Sequence, residues 1–425
     1  ATDEALVLRA PQAYLERWLP AAGGLLQEPM FAGAAARAEQ ARTYSPGSLR
    51  PETARALYGA ELHFSSSRID VLAGCRFAHF LQYGLRAQER EPAEFDSRFY
   101  GTFVHDVLEY IVQQTEREGG FAAVPRSRVQ ELALERMEQN AQTLLETFPD
   151  SGRTGYLLRR TFDEVTQVVD ELYDELSVSA FRPKFCELEF SARGALPGVA
   201  FSGKRCRGVV EGFVDRVDVW QSGGRPYVRV VDYKTGKKSF DYTNVLHGRG
   251  LQMLLYLFAL VRQGGHLLHG EPLPAGVLYF PARIERVSVR DRLAQAEIEK
   301  ERRKQLRRSG VLLNSDPVLE AMEPCGGSPR FLPYTLDKEG RKTGDLASFA
   351  QLAQLERFVF QTVAALGDEL ADGRIDPDPC IRDAKDSACA FCPYSEVCAG
   401  HEQPRWLKKI TAEEFWQTLE RREHG

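Results

Sequence analysis

The sequence predicts an α/β fold in which a mixed central sheet is flanked by helices. Apolar residues recur at helical spacing over residues 129–148 and 156–176, which indicates two long helices. From Phe185 the hydrophobic period changes to two, and residues 209–220 and 227–234 form two predicted strands around a turn that contains Gly and Pro. Strands of this kind beside long helices are typical of a sheet with helices packed on its faces.

The elements before the sheet are predicted to be helical. Ser66 and Ser67 can cap a helix with an apolar face, and Cys75 lies on the same rod. Gly101 precedes a second helix. We interpret the two long helices that follow as a cap or insertion over the sheet.

A helix and a further strand are predicted after the paired strands. Residues 250–261 form an apolar helix and residues 276–280 a buried strand, which gives a strand-helix-strand crossover that we expect to be right-handed. A charged helix over 293–309 and a largely irregular region over 316–344 follow. Ser348 then caps a last long helix.

Composition narrows the class of protein. With 43% hydrophobic and 27% charged residues the chain is of the globular type, and its longest apolar stretch, Met253–Val261, is far below the roughly 20 residues that cross a bilayer. Without a signal-peptide pattern, the cytoplasm is the expected compartment. The net charge of -5 argues against a uniformly basic nucleic-acid coat. Residues 283–308, rich in Lys and Arg, form either a solvated helix face or the wall of a groove for single-stranded DNA.

Carboxylates are predicted to converge where the two strands pair. Alternation puts Asp232 and Lys234 on one face of their strand, while Tyr233 points to the other face. A hairpin in suitable register brings Asp215 beside Asp232. Two close carboxylates repel each other, and a hard divalent cation such as Mg²⁺ relieves that repulsion. Lys234 could orient a water molecule or neutralise developing charge.

Further polar residues are candidates for the same site. His105, on the preceding helix, is a candidate metal ligand or phosphate contact. Glu187 or Glu189 could supply another carboxylate, and the sequence offers little basis to choose between them. We predict that Arg216 and Asp218 form a structural ion pair instead.

Four of the eight cysteines have the spacing of a cofactor site. Cys389, Cys392 and Cys398 form a C-x2-C-x5-C cluster, and Cys75 lies roughly 300 residues earlier. A C-x2-C pair alone more often binds zinc. Three clustered cysteines with one distant partner suit a cubane iron-sulfur cluster held by four thiolates, with zinc as the alternative.

Several motifs together resemble the RecB-type branch of the PD-(D/E)XK nucleases, namely Gly101-x3-His105, Gly212-x2-Asp215, Asp232-Tyr233-Lys234 and Gln252-x3-Tyr256. Over about residues 62–398, the chain also resembles the nuclease domain of the AddB family, which partners AddA in helicase-nucleases of recombination. The cysteine tail is part of this resemblance. One departure is Arg76, where that family usually has proline after the first cysteine.

The resemblance implies a restriction-endonuclease-like PD-(D/E)XK core with helical insertions and an iron-sulfur staple. The catalytic residues would be Asp215, Asp232, Lys234, His105, Gln252 and Tyr256. The ligands of Mg²⁺, with Mn²⁺ as the alternative ion, would be His105, Asp215, Asp232 and Tyr233. A 4Fe-4S cluster would be held by Cys75, Cys389, Cys392 and Cys398.

The resemblance also implies partners and domain boundaries. We expect cleavage of the 5'-terminated single strand at double-strand breaks, in a heterodimer with an AddA-like helicase. Residues 1–60 would link to a helicase-like region before residue 1, residues 61–400 would be the nuclease domain, and residues 401–425 a tail. The chain has no Gly-x4-Gly-Lys-Ser/Thr phosphate loop, so the partner must supply ATP hydrolysis.

Two other function classes compete with this interpretation. The first is a stand-alone iron-sulfur exonuclease of the CRISPR-adaptation type, although such nucleases are shorter and lack the long insertions. The second is a catalytically silent DNA-binding scaffold, against which the intact Asp215, Asp232 and Lys234 argue. Cleavage of labelled single-stranded DNA with and without Mg²⁺ discriminates between an enzyme and a scaffold.

Overall fold

The computed structural model describes residues 47–87, 97–147, 152–236, 239–284, 295–398 and 404–424. It contains two compact units. The larger unit comprises residues 61–70, 90–367 and 409–425, and the smaller unit residues 1–60, 71–89 and 368–408. Residues 1–46 of the predicted N-terminal extension, and residues 285–294 of the basic stretch, lie outside the described residues.

Thirteen α-helices occur in the described residues. In chain order, α1 to α13 are Pro51–Tyr58, Ser66–Gly74, Arg76–His79, Ser97–Arg117, Arg126–Thr147, Gly152–Val178, Tyr242–Leu246, Gln252–Gln263, Gly265–Leu268, Gln295–Leu306, Asp316–Met322, Phe349–Ala371 and Ala412–His424. A π-helical turn at Phe80–Gly84 follows α3. None of these helices is both long and apolar enough to span a membrane.

Twelve strands occur in the same part of the chain. In chain order, β1 to β12 are Leu62–Ser65, Arg182–Phe190, Val199–Ser202, Arg207–Ser222, Arg225–Lys234, Leu273–Pro281, Ser309–Leu313, Tyr334–Leu336, Lys342–Gly344, Leu346–Ala347, Cys380–Ile381 and Arg405–Trp406.

The larger unit is built on an eight-stranded mixed sheet. Its strands run in the order β1-β4-β5-β6-β7-β10, and β2 and β3 also pair with β4. The pairs β1–β4, β5–β6 and β7–β10 are parallel, whereas β4 is antiparallel to β2, β3 and β5. The parallel β5–β6 pair is connected through α8, so the predicted strand-helix-strand crossover is confirmed. The expected α/β fold with a mixed central sheet is therefore correct.

The β4–β5 hairpin sets the register of the candidate site. Ser222 pairs with Arg225 across a two-residue turn, and both turn residues, Gly223 and Gly224, have positive φ angles of 58° and 76°. Two consecutive positive φ angles match the twist of a tight hairpin and favour glycine. The predicted hairpin is confirmed, with a shorter turn than expected.

Some predicted boundaries are wrong. The rod expected across Cys75 is broken, because Cys75 is extended (φ -162°, ψ 123°) between α2 and α3. The cap of α2 is Ser65, whose Oγ accepts from the Arg68 main-chain nitrogen at 3.2 Å. Helix α4 begins before Gly101. The region expected to be irregular contains α11, β8 and β9, and α13 follows the helix that was expected to be last. The predicted Ser348 cap is confirmed by its bond to Gln351.

Candidate metal centre

The candidate site lies at the open end of the β4–β5 ladder, in the larger unit. The described pairing of these strands runs from Ser222–Arg225 to Arg216–Val231, so Asp215 and Asp232 come immediately after it. In place of a ladder bond, Asp215 Oδ2 accepts a hydrogen bond from the Tyr233 main-chain nitrogen at 2.7 Å. This contact aims the Asp215 carboxylate into the gap between the two strands.

His105 reaches the same gap from α4. Its Nε2 atom lies 2.9 Å from the carbonyl oxygen of Tyr233, which can only accept, so Nε2 carries the proton of this bond. Burial lowers the pKa of His105 and favours the neutral ring. Nδ1 is then unprotonated, and it lies 3.5 Å from Asp215 Oδ2. A histidine that donates one ring nitrogen to a carbonyl and presents the other is typical of a metal ligand.

Glu187 completes a group of three possible ligands. One ligand atom from each of His105, Glu187 and Asp215 lies within 4.8 Å of the other two. Glu187 has a positive φ of 47°, which is unusual for a residue with a side chain and costs of order 1–3 kcal/mol. Glu189 is engaged elsewhere, because its Oε1 accepts from Ser191 Oγ at 2.7 Å. The structure therefore brings Glu187 into the site.

The carboxylates of this site are held close together at an electrostatic cost. Burial, followed by the charge of Asp232, raises the pKa of Asp215 to about 8. Burial also raises the pKa of Glu187, and the nearby charges of Glu109 and Asp232 add to the effect. A bound cation would favour the ionised carboxylates. The residues present therefore fit a hard divalent cation.

Asp232 and Lys234 form an ion pair beside the group of three. Lys234 Nζ contacts Asp232 Oδ2, and it also lies 5.6 Å from the centre of the Tyr279 ring. Asp232 is not a member of the group whose ligand atoms fall within 4.8 Å, although its charge reaches Asp215 and Glu187. The arrangement thus holds an ammonium group next to three carboxylates.

Gln252 and Tyr256 lie on α8, behind the start of the site strand. Tyr256 is buried, and its hydroxyl donates to the carbonyl oxygen of Glu211 at 3.2 Å. A Cβ atom at Gly212 would collide with that hydroxyl, which explains the glycine three residues before Asp215. Gln252 is the partly buried first residue of α8. Tyr256 thus supports the main chain that leads to Asp215.

This geometry agrees with a family comparison. The model of the PD-(D/E)XK nuclease superfamily matches residues 63–399. The chain belongs to this superfamily. The expected fold and the expected class of metal-dependent nuclease are both confirmed at this level.

Curated relatives narrow the comparison within the PD-(D/E)XK superfamily. Each is named as the AddB-type subunit of an ATP-dependent helicase/deoxyribonuclease. The protein of Moorella thermoacetica is 34% identical over 83% of this chain and 31% of its own length. The Caldanaerobacter subterraneus protein is 31% identical over 82% and 30%, and a Thermoanaerobacter protein 29% identical over 86% and 33%. The predicted AddB resemblance is confirmed, and the chain spans about a third of these relatives.

One member of this PD-(D/E)XK site was missed in the sequence. Glu109 lies one helical turn after His105 on α4, and its charge raises the pKa of Glu187. The spacing of four residues, which places two side chains on one helix face, was the available signal. The predicted Arg216–Asp218 pair is confirmed, with both side chains fully buried.

The four cysteines singled out in the sequence lie in the smaller unit. Cys75, Cys389, Cys392 and Cys398 line one cavity of about 320 Å³. Burial raises the pKa of the Cys75 thiol to about 11. A tetrahedral zinc site, with Zn–S bonds of about 2.3 Å, would need neighbouring sulfur atoms about 3.8 Å apart. Among the described residues, no three cysteine sulfur atoms lie within 4.8 Å of one another.

Proposed function

We propose that this chain is a Mg²⁺-dependent deoxyribonuclease module that hydrolyses phosphodiester bonds in single-stranded DNA, with Mn²⁺ as the alternative ion. The observation that carries the proposal is the convergence of His105, Glu187 and Asp215 beside the Asp232–Lys234 pair in a PD-(D/E)XK nuclease. Oxygen ligands from carboxylates suit Mg²⁺, and one imidazole also suits Mn²⁺.

Each residue has a distinct role in this proposal. His105, Asp215 and Glu187 hold the cation, together with Asp232 and the carbonyl oxygen of Tyr233. When bound, the cation stabilises charge that develops on the phosphate. The Lys234 ammonium, held by Asp232, lies close enough to this charge to share in its stabilisation. The roles of Gln252 and Tyr256 are to shape and support the strand that carries Asp215.

A single-stranded substrate is favoured by an exposed aromatic residue at the site. Phe213 precedes Asp215 by two positions on β4, so alternation places both side chains on one face of the strand. It is 49% exposed, which is unusual for a phenylalanine beside a polar site. Aromatic rings stack on the unpaired bases of single-stranded DNA. We assign Phe213 the role of a base-stacking surface.

The names of the relatives support a larger assembly. We propose that this chain works in a heterodimer with an AddA-like helicase and cuts the 5'-terminated strand during double-strand break processing in the cytoplasm. Residues 61–400 would act as the nuclease domain, residues 1–60 as the link to a helicase-like region, and residues 401–425 as a tail. The relatives are helicase/deoxyribonuclease subunits by name, and their greater length leaves room for that region.

We also propose a 4Fe-4S cluster as the ligand of the cysteine cavity. The donors Cys75, Cys389, Cys392 and Cys398 are four thiols around one space, and their sulfur spacing is wider than one zinc ion requires. The cluster would be structural, because it would join a segment near residue 75 to the C-terminal segment. No role in the cleavage chemistry is assigned to it.

The decisive experiment measures cleavage of 5'- and 3'-labelled single-stranded DNA by the purified chain, with Mg²⁺ and with EDTA. The proposal expects cleavage that requires the cation and disappears in Asp215→Asn. Metal-independent cleavage would contradict it. DNA binding without any cleavage, in both the chain and its complex with a helicase subunit, would favour a silent scaffold. In that complex, loss of only 3'-strand cutting in Asp215→Asn would refute the strand assignment.

A further inference from the structure

A network of buried charges lies in the larger unit beside the site strand β5. Its members are at most 2% exposed and come from α6, β4, β5 and the residue before β7, namely Glu175, Arg216, Asp218, Arg229 and Arg308. Three guanidinium groups and two carboxylates leave a surplus of one positive charge. On β5, Arg229 and Tyr233 alternate with Asp232 and Lys234, so the network occupies the face of this strand opposite to the candidate site.

Hydrogen bonds fix every member of the network. Arg216 donates to both oxygens of Asp218, at 2.8 and 2.9 Å. Arg229 bridges Asp218 at 2.8 Å and Glu175 at 2.9 Å, and Arg308 donates to the other oxygen of Glu175 at 2.9 Å. Bidentate and shared contacts of this kind hold a guanidinium group in one orientation.

The network makes one contact with the residue at the centre of the metal site. Arg216 Nη1, the nitrogen that does not bind Asp218, donates to the Tyr233 hydroxyl at 3.0 Å. The Arg216 guanidinium also lies 5.6 Å from the centre of the Tyr233 ring. Tyr233 therefore has its side chain anchored to a fixed cation inside the protein.

The main chain of the same residue holds two candidate metal ligands. The Tyr233 nitrogen donates to Asp215 Oδ2 at 2.7 Å, and its carbonyl oxygen accepts from His105 Nε2 at 2.9 Å. A shift of the main chain at Tyr233 would therefore move both ligands together. A buried ion network is weak evidence for stability, since apolar residues can replace it without loss, but it can impose one arrangement.

We propose that Arg216 and Tyr233 are positioning residues, which hold the metal centre in place from the opposite face of the sheet. The proposal rests on the metal-dependent function proposed above. The Arg216–Tyr233 hydroxyl bond fixes the main chain at Tyr233, and that main chain orients His105 and Asp215. Outer partners that orient metal ligands typically change metal affinity or activity by 10–100-fold when they are lost.

The test compares Tyr233→Phe with a matched control, Tyr173→Phe. Both changes delete one hydroxyl group, and that of Tyr173 donates to the carbonyl oxygen of Val124 at 3.1 Å. Two quantities are measured in the full chain: the Mg²⁺ concentration that half-saturates cleavage, and the increase in melting temperature caused by Mn²⁺. Tyr233→Phe should raise the half-saturating concentration roughly tenfold or more and reduce the Mn²⁺-induced increase. At saturating Mg²⁺ it should retain most of the wild-type kcat.

The outcomes separate this inference from the proposed function. Tyr173→Phe should keep the wild-type metal response, and Arg216→Lys, which cannot bind Asp218 and Tyr233 in the same way, should resemble Tyr233→Phe. Wild-type metal dependence in Tyr233→Phe would overturn the inference while the nuclease function stands. Equal shifts in Tyr233→Phe and Tyr173→Phe would also overturn it. A wild-type chain that responds to neither ion would overturn the proposed function itself.

Discussion

Arg76 donates from its main-chain nitrogen to Asp378 Oδ1 and from Nη1 to Asp378 Oδ2, at 3.0 Å each, across 302 residues of sequence. Arg405 pairs with the same carboxylate at 3.0 Å. Arg76 directly follows Cys75, so these contacts lie at one end of the cysteine cavity. They join the segment of the first cysteine to the segment that leads to the other three, without any cofactor.

Loss of this contact should destabilise the smaller unit. Arg76→Ala leaves the buried Asp378 carboxylate short of one partner, and breaking a buried pair from one side costs about 3–5 kcal/mol. Arg374→Ala is the matched control, because Arg374 is 43% exposed and its surface pairs contribute at most about 1 kcal/mol. Urea unfolding measures both free energies. Equal losses in the two variants would contradict the prediction.

Substitutions in the candidate site should remove activity without unfolding the chain. Asp232→Asn, Lys234→Ala and Glu187→Gln should each lower kcat by roughly 10²–10³-fold, because each removes charge beside the reacting phosphate. Glu189→Gln is the matched control and should keep nearly full activity, since that side chain bonds Ser191. Cleavage rates and melting temperatures of the four variants check this. An inactive Glu189→Gln beside an active Glu187→Gln would reverse the assignment.

The cysteine cavity should give the protein a colour. Anaerobically purified protein should be brown and contain iron and acid-labile sulfide, and serine at any one of Cys75, Cys389, Cys392 or Cys398 should bleach it. Cys325→Ser should keep the colour, because Cys325 does not line the cavity. Absorbance spectra and metal analysis measure this outcome. Colourless protein with stoichiometric zinc would show that the cavity is a zinc site.

Acid should weaken the buried charge network. Burial alone would raise the pKa of Glu175, but the guanidinium groups of Arg308, Arg229 and Arg216 lower it to about 2 from an ordinary value of 4.5. A lowered pKa gives stability that is complete above pH 4.5 and disappears as the pH falls through about 2. The difference in unfolding free energy between wild type and Glu175→Gln, a few kcal/mol at pH 7, should therefore narrow from pH 5 to pH 2.5. A constant difference in urea unfolding would contradict it.

Phe213 should affect substrate binding more than chemistry. Phe213→Ala should raise KM for single-stranded DNA about tenfold or more at nearly constant kcat, because stacking on one base contributes about 1–3 kcal/mol. Phe213→Trp should restore the wild-type KM. Phe349→Ala removes a phenylalanine of similar exposure on α12 and serves as the control. If a substrate with abasic positions still distinguishes Phe213→Ala from wild type, base stacking is refuted.

Sequence patterns were sufficient where local chemistry and tertiary structure agree. The two strands that carry Asp215 and Asp232 follow from period-two alternation and a glycine turn, and the Ser348 cap from its local spacing. The match of motifs to the PD-(D/E)XK nucleases supplied what alternation could not, namely that His105, distant in sequence, reaches the same gap.

Other features depend on the folded chain and escaped the sequence patterns. The choice between Glu187 and Glu189 could not be made, because the positive φ of Glu187 breaks the alternation on which the choice would rest. The helix break at Cys75 follows from contacts such as Arg76 with Asp378 rather than from a Gly-Pro signal. The short strand β1 gains its order from parallel pairing with β4.

The left-handed backbone at Glu187 sets stability and activity against each other. Asparagine or glycine accepts a positive φ with less strain than glutamate, so either residue would relieve the backbone at this position. A laboratory selection for heat resistance alone would therefore be expected to drive position 187 away from glutamate, and the resulting proteins would be hardier and inactive. Thermostabilised versions of this enzyme need to be designed with position 187 held fixed.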